Sequence, residues 1–225
     1  GSRPWCRRRA PPPLTALRDE IRSAGGTADA YPCDLLDLEA VDAMVARILA
    51  DHGHVDVLVN NAGMSIRRKV VHSRERFHDF ERPMQLNYFA ALRLTTGLLP
   101  GMVARRTGQV VNVSSWAVQV RPPRFSGYTA SKAALEAWSD CVQAEVMDDG
   151  VVFTNVRMPL VRTPMIAPTK AYRRLPALTP EQAAAVIGSA LVNRSRRVSP
   201  LAGSMLSLTE TVSHRAADRL RRNAV

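Results

Sequence analysis

The chain has 225 residues, 46% of them apolar and 23% charged, with a formal net charge of +11. That length buries a full core in one domain, and the composition is that of a globular protein rather than a disordered one. No run approaches the roughly 18 apolar residues that span a membrane, and the N-terminal arginines have no apolar stretch behind them to make a secretory signal. Basic clusters at Arg7 to Arg9, Arg67 to Lys69, Arg173 and Arg174, Arg196 and Arg197, and Arg219 to Arg222 are spread along the chain without interleaved aromatics. This argues against nucleic acid and leaves an acidic cofactor or a membrane surface as partner. Cys6, Cys33 and Cys141 have no metal-binding spacing and read as reduced thiols of a cytoplasmic protein.

Residues 1–13 read as a disordered, basic and proline-rich segment. Leu14 to Ala24 reads as a helix stopped by Gly25 and Gly26. Ala28 to Cys33 follows as a short strand. Asp37 caps a helix with Val41, Met44, Val45, Ile48 and Leu49 on one face. Val55 to Val59 is an apolar run suited to a strand buried on both faces. A helical turn over Ser73 to Phe80, broken near Pro83, precedes a helix from Gln85 to Leu99. Val110 to Ser114 is a second buried strand, Tyr128 to Met147 a helix, and Val151 to Val156 a further strand. Thr179, Pro180 and Glu181 have the cap, first-turn proline and first-turn acid of a helix running to Val192. Met205 to Arg222 reads as an amphipathic segment, so residues 14–200 form the domain and 201–225 a helical tail. The alternation predicts an α/β fold, a Rossmann-like doubly wound parallel sheet. The long irregular stretch Pro159 to Pro176 reads as a functional loop, such as a lid.

Ligands of such sheets bind at the carboxyl ends of the strands. Asp34, Asn60 to Gly63, Ser114 and Ser115, and Met158 and Pro159 stand there, though turn chemistry explains each one alone about as well. Tyr128 and Lys132 are more telling. Four residues apart, they share a helix face, where an ammonium beside a phenol lowers its pKa and readies it for proton transfer. Ser115 lies thirteen residues upstream at a strand end.

Asn60-Asn61-Ala62-Gly63, Asn87, Ser115 and Tyr128-x-x-x-Lys132 resemble, in order and spacing, the Asn-Ser-Tyr-Lys tetrad of the short-chain dehydrogenases/reductases. The resemblance runs from about Leu14 to Val192. It implies an NADP(H)-dependent oxidoreductase in which Tyr128 is the general acid and Ser115 polarises the substrate carbonyl. Lys132 tunes Tyr128 and holds the nicotinamide ribose, and Asn87 holds a water of the proton relay. Asp34 and Leu35 border the adenine, Asn61, Ala62 and Gly63 line the cofactor, and Pro159, Val161 and Thr163 belong to a segment wrapping nicotinamide and pyrophosphate. It also implies a homo-oligomer through the 85–99 and 127–147 helices. The stretches SIRR, RFHDFERPMQLNYFAALRL, RFSGYTASKAALEAWS and MPLVRTPMIAPTK are similar to bacterial fatty acyl-CoA reductases of lipid metabolism. That likeness implies NADPH reduction of a long-chain acyl-CoA to the aldehyde, in the cytoplasm or at a membrane periphery. Arg67, Arg68, Lys69 and Arg162 become candidates for coenzyme A phosphates, and a solvated basic loop explains each equally well.

The family opens with a strand and a Thr-Gly-x-x-x-Gly-x-Gly loop that receives the pyrophosphate. This sequence has no such motif and starts near the end of the second strand, with Arg8 and Arg9 placed to meet an NADPH 2′-phosphate. The expectation is therefore a sheet lacking its first βαβ unit, whether as a shortened gene product or a natural short form, with little activity on its own. The alternatives are a general ketone or alcohol dehydrogenase and a non-catalytic binding subunit.

Overall fold

The structure is a computed structural model describing residues 14–166, 169, 172 and 175–199. The predicted N-terminal segment, including Arg8 and Arg9, and the predicted 201–225 tail lie outside the described residues.

Four strands, β1 (Val57–Asn60), β2 (Gly108–Ser115), β3 (Val151–Met158) and β4 (Arg197–Val198), form one sheet in the order β1-β2-β3-β4. All three pairings are parallel. Side chains alternate across a strand, so Val110 and Val111 serve opposite layers. On one face Val110, Val151 and Phe153 pack with Met102 of α4 (Ala90–Ala104) and Val142 of α6 (Ser126–Glu145). On the other, Val111, Val156 and Met158 pack with Ala183 and Ala190 of α7 (Pro180–Asn193). Cover on both faces is the doubly wound arrangement the sequence predicts.

The helix signals act as expected. α1 (Leu14–Ser23) is followed by Gly25 at φ +85°. The Asp37 carboxylate accepts from Glu39 and Ala40 N–H at 3.0 and 3.1 Å to start α2 (Leu38–His52). Thr179 and Gln182 form a reciprocal capping box on α7.

Three expectations are corrected. Ala28 to Cys33 forms neither helix nor strand among the described residues; a segment becomes a strand only with a neighbour to complete its ladder. The Val55–Val59 run, expected to be buried on both faces, gives β1 only from Val57, with Val57 and Val59 exposed beside its open outer edge. Pro83 does not break its helix: it is buried inside α3 (His78–Met84), which runs into a π-helical turn over Gln85–Phe89 and then α4. Its missing N–H frees the Asp79 carbonyl, a spot packed so closely by Gly127 that an added Cβ would lie 3.2 Å from that oxygen. β4 was not among the expectations, being a two-residue strand too short for any periodicity to reveal.

A row of buried asparagines crosses the sheet. Asn60, Asn112 and Asn155 stand in register on β1, β2 and β3. Asn60 Nδ2 donates to Asn112 Oδ1 at 2.9 Å, and Asn112 Nδ2 to Asn155 Oδ1 at 3.2 Å. Asn155 continues to Ser139 of α6. A one-residue slip of any strand would strand these amides in the core, so the row fixes register.

Candidate active site

Ser115 ends β2, and its Oγ accepts from the N–H of Ala117 at 3.1 Å, at the start of α5 (Ala117–Val120). Tyr128 is in the first turn of α6, and its hydroxyl is hydrogen-bonded to Ser115. Burial pushes the Tyr128 phenol above its ordinary pKa, with the Ser115 bond acting in the opposite direction. The sequence reading expected Lys132 to lower it. Lys132 is only 4% exposed and its Nζ donates instead to the Val113 carbonyl at 2.7 Å. Burial lowers the Lys132 ammonium to about 8, with the Glu136 carboxylate opposing the shift. Tyr128 is therefore a protonated donor at neutral pH and Lys132 a cation below about 8.

Asn87 lies in the π-helical turn, a distortion common at functional sites. Its Oδ1 accepts from Met64 N–H at 2.8 Å, and its Nδ2 donates to Met64 O at 3.0 Å and Ser131 Oγ at 2.8 Å. Ser131 in turn donates to the Tyr128 carbonyl at 2.7 Å. Asn87 thus ties the loop after β1 to the helix bearing Tyr128 and Lys132. Gly63 sits between them: an added Cβ would come within 3.2 Å of Asn87 Oδ1 and 3.4 Å of Lys132 Nζ.

The remaining predicted residues divide. Asn61 and Ala62 line a cleft of about 250 Å³ with Leu35, Tyr31, Cys33 and Leu86. Asp34 stands between the lining residues Cys33 and Leu35 without lining the cleft itself, its Oδ1 accepting from Leu36 N–H at 3.0 Å. Pro159 follows β3 directly, and the Thr163 carbonyl accepts from Ile166 in a turn. Val161 bridges to Leu178 and packs with the α7 layer of the core.

The family model for short chain dehydrogenases matches residues 4–173. The chain belongs to that family. It is 50% identical over 200 residues to a fatty acyl-CoA reductase of Acinetobacter baylyi, covering 89% of this chain and 68% of that protein. It is 47% identical over 213 residues to a fatty acyl-CoA reductase of Mycobacterium tuberculosis, covering 93% and 72%. It spans 60% of the length of a further mycobacterial relative, an uncharacterised oxidoreductase of Mycobacterium bovis. A solved short-chain dehydrogenase from Streptomyces avermitilis superposes with a TM-score of 0.75 at 31% identity, covering 94% of this chain and 84% of that one.

Short-chain dehydrogenases bind a nicotinamide cofactor, and the residues of this one fit it. The Asn61–Gly63 loop joins the cleft to Lys132, and the bare Cα of Gly63 lets the loop lie close against the buried ammonium and Asn87. Asn60 Oδ1 is buried there without a hydrogen-bond partner.

Sequence reasoning passed over one further group in this short-chain dehydrogenase. Glu136, buried one turn beyond Lys132, accepts from Ser114 Oγ at 2.5 Å and from Arg157 Nε and Nη2 at 3.0 and 2.7 Å. The extension of the Tyr128–Lys132 spacing by four more residues, with an arginine in a strand otherwise free of charge, was the signal.

Proposed function

We propose that this chain carries the catalytic centre of an NADPH-dependent reductase that converts a long-chain fatty acyl-CoA to its aldehyde. The observation that supports the reading is the Tyr128 hydroxyl hydrogen-bonded to Ser115, with Lys132 buried one turn further along the same helix. Kinship with two fatty acyl-CoA reductases directs the substrate.

When bound, the nicotinamide supplies a hydride to the carbonyl carbon. Ser115 donates a hydrogen bond to the carbonyl oxygen and draws charge onto it. Tyr128 delivers its proton to that oxygen. Lys132, held on the Val113 carbonyl, holds the nicotinamide ribose, and its ammonium is charged below about 8. Asn87 holds the Met64 backbone against α6 and serves the relay that restores the Tyr128 proton. Leu35, Asn61, Ala62 and Gly63 receive the cofactor body, Asp34 its adenosine end, and Pro159, Val161 and Thr163 its nicotinamide side. Arg8 and Arg9 select the 2′-phosphate, since a guanidinium pairs with phosphate bidentately. The protein acts in the cytoplasm or at a membrane surface; among the described residues no helix is long and apolar enough to cross a membrane. It assembles with itself through the 85–99 and 127–147 helices, where Phe89 is exposed.

The test is NADPH oxidation by the full-length protein with long-chain acyl-CoA, long-chain aldehyde and simple ketones. Turnover of acyl-CoA, slower with NADH, is the expected result. Turnover of ketones alone returns the general dehydrogenase reading.

A further inference from the structure

Three consecutive residues of β2 bond three residues of α6 that stand one turn apart. Ser115 is hydrogen-bonded to the Tyr128 hydroxyl, the Val113 carbonyl accepts from Lys132 Nζ at 2.7 Å, and Ser114 Oγ donates to Glu136 Oε1 at 2.5 Å. The Ser115 and Val113 bonds hold the residues of the proposed chemistry. The Ser114 bond is tied to β3 as well. Register sets Arg157 beside Ser114. Arg157 Nε and Nη2 donate to Glu136 Oε2 at 3.0 and 2.7 Å, with Nε 3.2 Å from Oε1. Both oxygens of Glu136 are therefore engaged, on a residue only 4% exposed.

Helix geometry alone favours another pairing. Lys132 and Glu136 stand at the spacing at which lysine and glutamate pair across one turn. A buried carboxylate left without a cation is strongly destabilising. Here the forked guanidinium of Arg157 fills that place. The Lys132 ammonium stays on the Val113 carbonyl, against Gly63 of the loop after β1. Around that ammonium α6 itself carries Tyr128 and Glu136, one turn to either side. β2 brings the Val113 carbonyl, and the loop and the π-helical turn bring Gly63 and Asn87, none of which titrates.

We propose that Arg157 is a positioning residue of the cofactor site: by holding Glu136 it keeps the Lys132 ammonium off that carboxylate and free to meet the nicotinamide ribose. This rests on the reading of Lys132 given above and not on the choice of substrate. Without the guanidinium, the lysine should swing one turn along α6 to the carboxylate. Its charge is then kept to higher pH but aimed away from the cofactor. A residue that only braced the sheet would weaken the cofactor without holding the lysine charged.

The experiment compares the full-length wild type with Arg157→Met, Arg157→Lys and the double variant Arg157→Met with Glu136→Gln. NADPH affinity is measured by nucleotide fluorescence titration across pH, and folding by thermal melts. Wild-type affinity should fall as pH rises through about 8, where Lys132 loses its charge. Arg157→Met should bind about 10- to 100-fold more weakly at neutral pH, as loss of one charged hydrogen bond does, and its fall should move to higher pH. The double variant lacks the competing carboxylate. It should return to within about threefold of wild type, a coupling that the double-mutant cycle reads, with its fall at lower pH than in wild type. Where the unpaired carboxylate keeps Arg157→Met from folding, Arg157→Lys, a point charge in place of a fork, should still bind more weakly than both wild type and the double variant. Wild-type affinity in the single variants, a double variant as weak as Arg157→Met, or a pH dependence that does not move would each overturn the role. A wild type that binds no NADPH would overturn the cofactor reading, and this role with it.

Discussion

Along β2 and β3 nearly every side chain is buried, between α4 and α6 on one face and α7 on the other. On β1 only Asn60 is fully buried, and Val57 and Val59 are exposed at an edge that pairs with nothing described. The two halves of the sheet carry different parts of the site. Ser115, Tyr128, Lys132 and Glu136 belong to β2 and α6, in the packed half. Leu35, Asn61 and Ala62 line a cleft on the open half. In the proposed function, acid–base geometry and cofactor affinity rest on elements of unequal burial, joined by Asn87 and the asparagine row, and mutation should separate them.

The largest separation is expected at Tyr128. Tyr128→Phe removes the proton donor and keeps the ring against Phe125, so kcat should fall by about 10²–10⁴-fold, the usual contribution of a general acid. Cofactor affinity, measured by nucleotide fluorescence titration, should barely change. A parallel loss of affinity would mean that the two halves are not separable.

A smaller effect is expected at Glu136. The Lys132 ammonium titrates at about 8 because burial disfavours its charge and the Glu136 carboxylate only partly restores it. Activity that needs the charged lysine should fall as pH rises through about 8. Glu136→Gln removes the supporting charge, lowers the lysine pKa further and moves this limb to lower pH. A pH profile identical to wild type would remove Glu136 from the site. Stability responds with the opposite slope. Between about 8 and the free-lysine value of 10.5 the unfolded chain binds more protons than the native one, so this residue makes stability rise with pH. Lys132→Met should flatten that rise in thermal melts.

Much of this was legible in the sequence for local reasons. Caps at Asp37 and Thr179 act on their own turns, and the Tyr128–Lys132 spacing needs only helix geometry. What failed depended on distant partners. Ala28 to Cys33 has strand composition, but a ladder is a property of two segments. Pro83 looks like a breaker until Gly127 and the following π turn absorb its effect. The direction of the Tyr128 shift turned on whether Lys132 faced the phenol or the Val113 carbonyl. Arg67 and Arg68, alike in sequence, were told apart only by Asp79, which bonds Arg68.

The smallest expected effect tests the comparison most directly, by placing one substitution on each half of the sheet. Val110 is 0% exposed on β2 and Val57 is 44% exposed on β1. Valine and threonine have nearly the same shape, so Val→Thr adds a hydroxyl without opening a cavity. At Val110 that hydroxyl enters the apolar layer formed by Met102, Val142 and Phe153, and an unsatisfied buried hydroxyl costs about 1–3 kcal/mol. At Val57 water can meet the hydroxyl, and threonine suits an extended edge, so the change should stay within about 0.5 kcal/mol. Urea denaturation of the two variants of this 225-residue chain measures both. Equal costs at the two positions would mean that the outer edge of β1 is covered in solution, and the contrast between the packed and the open half would be lost.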